Sequence, residues 1–387
     1  MQLREMGNTG VKVSPLGFGV MRLPLKNGGK TANDTTIADV DVDASIAMIR
    51  RAIDEGVNYF DTAYNYVSGN SEVILGQALA GGYREKVHVA SKSPAWLYKS
   101  PEDFDRYLGE QLDRLQMDHI DFYLLHSMNG GSWKKSQRNN AVEAIQRAKA
   151  EGKVRHIGFS FHDDLELFEE ILDAADWDFC QIQLNYYDRD YQAGIKGMKM
   201  AAERGMGVVV MEPLRGGLLV DLPKSVQAVF DESGYDRSNV EWSFDWLWNM
   251  PEVSCVLSGM STMEQVEENC SYMQRAAAGM FSDDERAVVD KAKAALDEKA
   301  AVPCTGCNYC VDMCPNKIAI PYNFRAYNMG VLYDNMDLAR EFYAEEVTSY
   351  GRRAEHCTSC GSCEEICPQH IAISEWLPKV DELLRED

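Results

Sequence analysis

Residues 120–126, IDFYLLH, form an apolar run of strand length that ends in a polar side chain. Seven further apolar runs of this length occur before residue 260. With the first, they cover residues 13–20, 57–63, 87–92, 120–126, 156–161, 179–185, 207–214 and 253–259. Strands that are apolar throughout are typical of parallel sheets whose two faces are both covered by helices. We therefore expect eight buried parallel strands in this part of the chain.

The segments between these runs have the spacing of amphipathic helices. Apolar residues recur every three or four positions in residues 43–56, 100–116, 139–153 and 164–176. This spacing indicates helices that bury one face. An open doubly wound sheet would often carry a glycine-rich phosphate loop after its first strand, whereas this chain continues with MRLPL at residues 21–25. Eight strand–helix units fit a closed barrel better, and the sequence predicts a TIM (β/α)8 barrel within residues 1–281.

The composition restricts the location and the partners of the protein. Its 387 residues, 45% of them apolar, exceed the size at which one hydrophobic core stops growing, so we expect two domains. No run approaches the roughly 20 apolar residues of a membrane span, and no signal peptide is recognisable. We expect a soluble, cytoplasmic protein. The net charge of −22, without a cluster of basic residues, argues against nucleic acid or an anionic membrane as a partner.

Eight of the eleven cysteines lie in two copies of one pattern near the C-terminus. The copies are CTGCNYCVDMCP at residues 304–315 and CTSCGSCEEICP at residues 357–368. Both spell C-x2-C-x2-C-x3-C-P, the signature of bacterial ferredoxins with two four-iron four-sulfur (4Fe-4S) clusters. Zinc sites usually use four ligands in separated pairs, and disulfides are rare in a reducing cytoplasm, so both are weaker interpretations. We expect a small ferredoxin-like α+β iron–sulfur domain at residues 304–387, after a linker helix at residues 282–303.

The signature also predicts how the cysteines divide between the clusters, because the fourth cysteine of each run ligates the other cluster. Three closely spaced thiolates share one loop, whereas the Cys-Pro stands at the start of the following helix. The expected ligands of one cluster are Cys304, Cys307, Cys310 and Cys367, and those of the other are Cys357, Cys360, Cys363 and Cys314. For Cys180, Cys255 and Cys270 we expect burial in the core.

Polar residues stand at the C-terminal ends of the predicted strands, where such a barrel carries its chemistry. The second predicted strand ends with Asp61 and Tyr66 follows in its loop, while Lys92 ends the third strand. His126 ends the fourth. In these residues and in the surrounding motifs DTAxxY, ASK and LLH, the chain from about residue 1 to 280 resembles the aldo-keto reductase family. The resemblance implies that the four residues form a catalytic tetrad.

The chemistry of the four side chains agrees with this resemblance. Reducing a carbonyl requires a hydride on carbon and a proton on oxygen, and a tyrosine with a pKa near 10 is a poor acid at neutral pH. The Lys92 ammonium would stabilise the Tyr66 phenolate, and Asp61 would keep that ammonium charged. A neutral His126 would polarise the carbonyl by a hydrogen bond. Taken singly, each residue also has an ordinary structural explanation, as a helix cap, a packing side chain, a solvated lysine or a core histidine.

The resemblance further implies a nicotinamide cofactor, NAD(H) or NADP(H), bound across the barrel mouth. Ser160 and Gln181 match the residues that hold its carboxamide, and residues 258–269 match the segment for its phosphate and adenine. The contacts implied within that segment are Gly259, Ser261, Glu268 and Asn269.

Two departures from the family pattern affect the cofactor site. Phe161 stands where the family commonly has an Asn after the serine, which leaves His162 as the candidate replacement. Gly259 and Gln265 stand where members that prefer a 2'-phosphate often place Lys and Arg. We therefore expect no strict dependence on NADPH.

The combined features favour an oxidoreductase that interconverts a carbonyl and an alcohol with a nicotinamide cofactor. Hydride transfer moves two electrons and needs no metal, so the clusters indicate a second activity, single-electron transfer to a redox protein partner or a second cofactor. Two alternatives remain: an electron-transfer module whose barrel is not catalytic, and an aldo-keto reductase whose clusters are purely structural. The sequence does not identify the small-molecule substrate.

Overall fold

The computed structural model describes residues 2–31, 35–299, 302–333, 336–348 and 351–385. The chain divides into two compact units. The first comprises Met1–Pro213 and Phe244–Phe281, and the second comprises Leu214–Ser243 and Ser282–Asp387. The boundaries expected from the sequence, at 1–281, 282–303 and 304–387, remain a prediction.

The strands of the described residues form a hairpin and a barrel. They are β1 (Arg4–Glu5), β2 (Lys12–Val13), β3 (Leu16–Gly19), β4 (Tyr59–Asp61), β5 (His88–Ser93), β6 (Ile120–Met128), β7 (Val154–Phe161), β8 (Phe179–Gln183), β9 (Gly207–Met211) and β10 (Cys255–Ser258). β1 and β2 pair in antiparallel fashion. The other eight close a barrel in the order β10-β3-β4-β5-β6-β7-β8-β9, with every neighbouring pair parallel. This confirms the eight-stranded parallel barrel predicted from the apolar runs.

Helices alternate with the barrel strands and continue to the C-terminus. In the first unit they include α1 (Val42–Asp54), α2 (Ser71–Leu79), α3 (Asp103–Leu115), α4 (Gly130–Arg138), α5 (Ala141–Ala150), α6 (Leu165–Asp173), α7 (Gly194–Glu203) and α10 (Met263–Met273). The others are α8 (Lys224–Asp231), α9 (Asn239–Trp248), α11 (Asp283–Asp297), α12 (Tyr309–Met313), α13 (Ile320–Tyr333), α14 (Met336–Glu346) and α15 (Ile373–Leu384). None of the helices in the described ranges is long and apolar enough to cross a membrane.

α11 lies within the linker helix predicted at residues 282–303, and its first turn has a capping box. The backbone N–H of Ser282 donates to Glu285 Oε2 over 2.6 Å, and that of Glu285 donates to Ser282 Oγ over 3.2 Å. These two hydrogen bonds satisfy backbone donors that the first turn of a helix otherwise leaves unpaired.

Apolar side chains fill the barrel interior beneath its polar residues. Because successive side chains of a strand point to opposite faces, every second residue points inward. The layer contains Tyr59, Ala90, Phe122, Leu124, Phe179, Val209, Cys255 and Leu257, together with Met6 and Val13 from the N-terminal hairpin. A Cβ at Gly158 of β7 would lie 2.7 Å from the Phe179 ring, so this close approach requires glycine.

The second unit has an apolar core of its own. Its buried side chains include Ile320, Phe324 and Ala326 of α13, Tyr343 of α14, and Leu377 and Val380 of α15. Cysteines of both C-terminal runs border this core. The apolar core of the second unit therefore lies next to the predicted cluster ligands.

Candidate active site and cysteine-lined cavities

Four polar side chains lie together above the apolar layer of the barrel. Asp61, Lys92 and His126 each lie two positions after an inward-facing residue of that layer. Because alternate residues of a strand lie on the same face, these three side chains are also on the inner face of the barrel. Tyr66 opens the single 3-10 turn that follows β4. The side chains of all four residues are buried.

Lys92 connects the members of this group. Its Nζ donates to Asp61 Oδ1 over 2.5 Å, to the carbonyl oxygen of Thr62 over 2.7 Å and to Tyr66 Oη over 3.3 Å. An ammonium group has three N–H donors, and each of them here has an acceptor. The lysine therefore joins a carboxylate to a phenol hydroxyl within one hydrogen-bonded chain.

Burial opposes charge on both members of the ion pair. It lowers the pKa of Lys92 and raises the pKa of Asp61, while the attraction and hydrogen bond between the two groups act in the opposite direction. A buried ion pair is retained when its geometry is good and its remaining donors are satisfied. The three hydrogen bonds of Lys92 meet that condition for the lysine and favour its charged form, whereas Asp61 Oδ2 is buried without a hydrogen-bond partner among the described residues.

His126 faces the phenol from the neighbouring wall of the site. Its ring lies 5.8 Å from that of Tyr66 and 4.9 Å from that of Trp96, edge to face in both cases. Burial lowers the pKa of His126 well below its usual value, and the charges of Lys92 and His162 act in the same direction. The imidazole is therefore neutral at pH 7, with one N–H to donate. Trp96 was not among the residues singled out from the sequence.

An irregularity in β6 follows His126. The register between β6 and β7 shifts between Leu125 and Met128, and Ser127 has a positive φ of 54°. The backbone N–H of Ser127 donates to Ser160 Oγ over 2.7 Å. Bulges of this kind re-aim side chains next to functional sites. This bulge connects β6, the strand that carries His126, to Ser160, which is predicted to contact the cofactor.

A buried network supports Lys92 from outside the barrel. Glu72 Oε1 accepts hydrogen bonds of 2.6 Å from both Ser91 Oγ and Gln111 Nε2. Gln111 Nε2 also donates to the carbonyl oxygen of Lys92 over 3.1 Å, and Arg114 pairs with Glu72 over 3.2 Å. The Glu72 carboxylate adds to the groups that favour a charged Lys92. The sequence pattern did not point to Glu72 or Gln111, which lie on α2 and α3.

Ser160 and Gln181 stand side by side on β7 and β8. Both are buried. Gln181 lies close to Asp61, and its Oε1 is buried without a hydrogen-bond partner within the described ranges. A primary amide on a ligand would satisfy this oxygen, because buried polar atoms are normally paired. These residues therefore fit the carboxamide of a nicotinamide.

The residues that follow Ser160 point in different directions. Phe161 packs toward the surrounding helices, with its ring 5.0 Å from that of Phe168 on α6. His162 is buried, and its charge acts on His126. The position next to the site is thus taken by His162 rather than by Phe161.

Three of the predicted phosphate and adenine contacts gather around the end of β10. A Cβ at Gly259 would lie 2.8 Å from Arg22 Cγ, and Ser261 Oγ donates to the carbonyl oxygen of Arg22 over 2.7 Å. Asn269 is buried on α10, whereas Glu268 of the same helix is exposed. The structure thus places a cation, Arg22, beside a segment that lacks basic residues of its own.

The eight repeat cysteines line two cavities in the second unit. Cavity A is lined by Cys304, Cys307, Cys310 and Cys367. Cavity B is lined by Cys357, Cys360, Cys363 and Cys314. Each cavity combines three cysteines of one run with the fourth of the other. The remaining cysteines, Cys180, Cys255 and Cys270, are buried, as expected.

Two family models match the chain. The model of the aldo/keto reductase family matches residues 15–293, and the model of a 4Fe-4S dicluster domain matches residues 303–372. L-galactose dehydrogenase of Arabidopsis thaliana is 29% identical over 289 residues, which span 70% of this chain and 87% of that protein. The NADH-specific methylglyoxal reductase of Escherichia coli (strain K12) is 28% identical over 323 residues, with 70% and 94% covered.

Solved structures share the barrel. The holo form of an aldo-keto reductase from Bacillus halodurans superposes with a TM-score of 0.62 at 25% identity, covering 76% of this chain and 96% of that one. An aldo-keto reductase from Klebsiella pneumoniae in complex with NADPH has a TM-score of 0.61 at 22% identity, with 75% and 95% covered. The second likeness concerns the fold alone.

Proposed function

The chain belongs to the aldo/keto reductase family, and from this premise we propose that its barrel interconverts a small carbonyl compound and an alcohol with a nicotinamide cofactor. The observation that carries the proposal is the position of Lys92 Nζ, which contacts both Asp61 and the Tyr66 hydroxyl. Such a link is what a tyrosine needs to act as an acid at neutral pH.

Each member of the tetrad has one task in this proposal. Tyr66 gives its phenolic proton to the substrate oxygen, and Lys92 stabilises the phenolate that remains. Asp61 holds the lysine in its charged form. His126, neutral in its buried position, donates a hydrogen bond that orients and polarises the carbonyl. Trp96, edge-on to His126, forms an apolar wall of the same space.

The nicotinamide supplies the hydride when it is bound. We propose that Ser160 and Gln181 hold its carboxamide, with His162 beside them. Gly259, Ser261 and Asn269 would line the path of its phosphate and adenine, and Glu268 would contact it from the exposed side of α10. The buried, unpaired Oε1 of Gln181 supports this assignment most directly.

We propose that cavities A and B each hold one 4Fe-4S cluster, ligated by the four cysteines that line it. Because hydride transfer moves an electron pair and each cluster accepts one electron, the clusters accompany the barrel chemistry by exchanging single electrons with a redox partner.

A turnover assay tests the barrel function. Anaerobically prepared protein, with about eight irons per chain, should oxidise NADH or NADPH when simple aldehydes such as methylglyoxal are added. A barrel that only binds a redox partner would show no aldehyde-dependent oxidation. Turnover together with clusters that cannot be reduced would instead identify the clusters as structural.

The cofactor preference is expected to be weak. Residues 258–269 contain no Lys or Arg, and discrimination for a 2'-phosphate usually rests on one or two charge-assisted hydrogen bonds. In fluorescence titrations, NADPH should not bind about 100-fold or more tightly than NADH. The relative named as an NADH-specific reductase supports this expectation.

A larger preference for NADPH would contradict the expectation and would draw attention to Arg22. Its side chain lies against Gly259, so Arg22→Met would then have to abolish the preference while leaving NADH affinity unchanged. Arg51→Met is a suitable control, because Arg51 is an exposed arginine that pairs with Glu55 and Glu267.

A further inference from the structure

The two cysteine runs are equivalent in sequence but have different surroundings. Position by position, CTGCNYC aligns with CTSCGSC, so that Thr305 corresponds to Thr358. Thr305 is only 5% exposed, whereas Thr358 and its neighbours Ser359 and Cys360 are all exposed. Each threonine lines the cavity of its own run. One loop is therefore covered and the other faces solvent.

The lining of cavity A is mostly apolar and includes the polar residues Thr305, Asn308 and Gln369. Its lining includes the apolar residues Pro321, Phe324, Pro368, Ile371 and Ile373. A Cβ at Gly216 would lie 2.5 Å from the carbonyl oxygen of Thr305, so the backbone of that turn rests directly on the first cysteine loop.

The lining of cavity B combines polar residues with the apolar Pro315, Ile318, Ile320 and Leu377, and its cysteine loop is exposed. Asn316, Thr358, Ser359 and Ser374 line it together with the exposed Cys360. The backbone N–H of Ser359 donates to the sulfur of Cys357 over 3.4 Å. Exposure to solvent is one of the factors that set the reduction potential of an iron–sulfur cluster.

Reduction adds one negative charge to a cluster, and water and polar groups stabilise that charge better than an apolar lining does. We infer that the cluster in cavity B has the higher reduction potential and is the one that exchanges electrons with a soluble redox partner. The cluster in cavity A is then the internal member of the pair. Ile320 lines both cavities, so the two sites are neighbours.

This inference rests on the proposed ligation of one cluster in each cavity, so iron content is measured first. About eight irons per chain and two reducible species establish the premise. Fewer irons would refute the ligation itself, independently of which cluster has the higher potential. Neither the iron content nor the number of reducible species depends on the catalytic activity of the barrel.

A charge placed on the exposed loop identifies the cluster in cavity B. In Thr358→Lys the new ammonium should raise the higher of the two midpoint potentials and should change the lower one less. Both potentials are measured in a redox titration monitored by electron paramagnetic resonance. Thr358→Gln, of similar bulk but uncharged, should shift neither. A larger shift of the lower potential in Thr358→Lys would overturn the ordering.

Access to solvent is tested in the unmodified protein. A soluble paramagnetic gadolinium chelate should speed the relaxation of the signal that appears first on reduction, because that cluster lies at the surface. If both signals relaxed equally, or if the later signal relaxed faster, the assignment of cavity B as the point of exchange would be wrong.

Discussion

Tyr66→Phe should reduce the rate of carbonyl reduction by about 100- to 10,000-fold, the usual cost of losing a general acid. The substitution removes the hydroxyl that Lys92 contacts at 3.3 Å and leaves the ring in place beside His126. Fluorescence titration should show unchanged cofactor affinity, because the proposed cofactor contacts lie on β7, β8 and the segment after β10. Single-turnover measurements separate the chemical step from binding.

Tyr64 provides a matched control for this experiment. Its hydroxyl donates to Glu110 Oε2 over 2.7 Å, and its ring packs 4.9 Å from that of Tyr107. Tyr64→Phe therefore removes a hydroxyl two positions away without touching the Lys92 chain, and it should retain the parent rate. Equal activity in both variants would show that the proton comes from another group.

Cys367→Ser is expected to perturb or remove the cluster of the first cysteine run, although Cys367 belongs to the second. Cys367 lines cavity A with Cys304, Cys307 and Cys310. The spectrum and iron content of Cys367→Ser should therefore match those of Cys307→Ser. By the same reasoning, Cys314→Ser should match Cys360→Ser, because Cys314 lines cavity B. Complete loss of one cluster would lower the iron content from about eight to about four per chain.

The control for general thiol effects is Cys270→Ser, which changes a buried cysteine of α10 outside both cavities. It should leave both clusters intact. If Cys367→Ser matched Cys360→Ser instead of Cys307→Ser, the crossed arrangement would be wrong, and each run would have to complete its own cluster.

The barrel and the placement of its polar residues were predictable because both depend on strand periodicity. Eight apolar runs define the strands, and the residue that ends a run in phase with the interior has to point into the barrel mouth. Asp61, Lys92 and His126 satisfy this condition. Their mutual contacts needed no further information, since parallel strands of a closed barrel end at the same rim.

Other features of the site were beyond the reach of pattern analysis. Glu72 and Gln111 reach Lys92 from helices outside the barrel, and Arg22 reaches Gly259 from a loop more than 200 residues earlier in the chain. Such contacts depend on side-chain length and helix position, which leave no periodic signal. The difference between Thr305 and Thr358 was hidden for a related reason, because the sequence around each is nearly the same and only the packing differs.

The hydrogen bonding of Lys92 also protects the enzyme from its own substrates. A deprotonated lysine amine condenses with aldehydes to form an imine, a reaction that enzymes with Schiff-base lysines exploit. Here Asp61, Thr62 and Tyr66 engage all three N–H groups of the ammonium, so the nitrogen has no lone pair to offer. In the proposed reaction, the contacts that suit Lys92 to assist proton transfer would thus also keep it unreactive toward a carbonyl bound beside it.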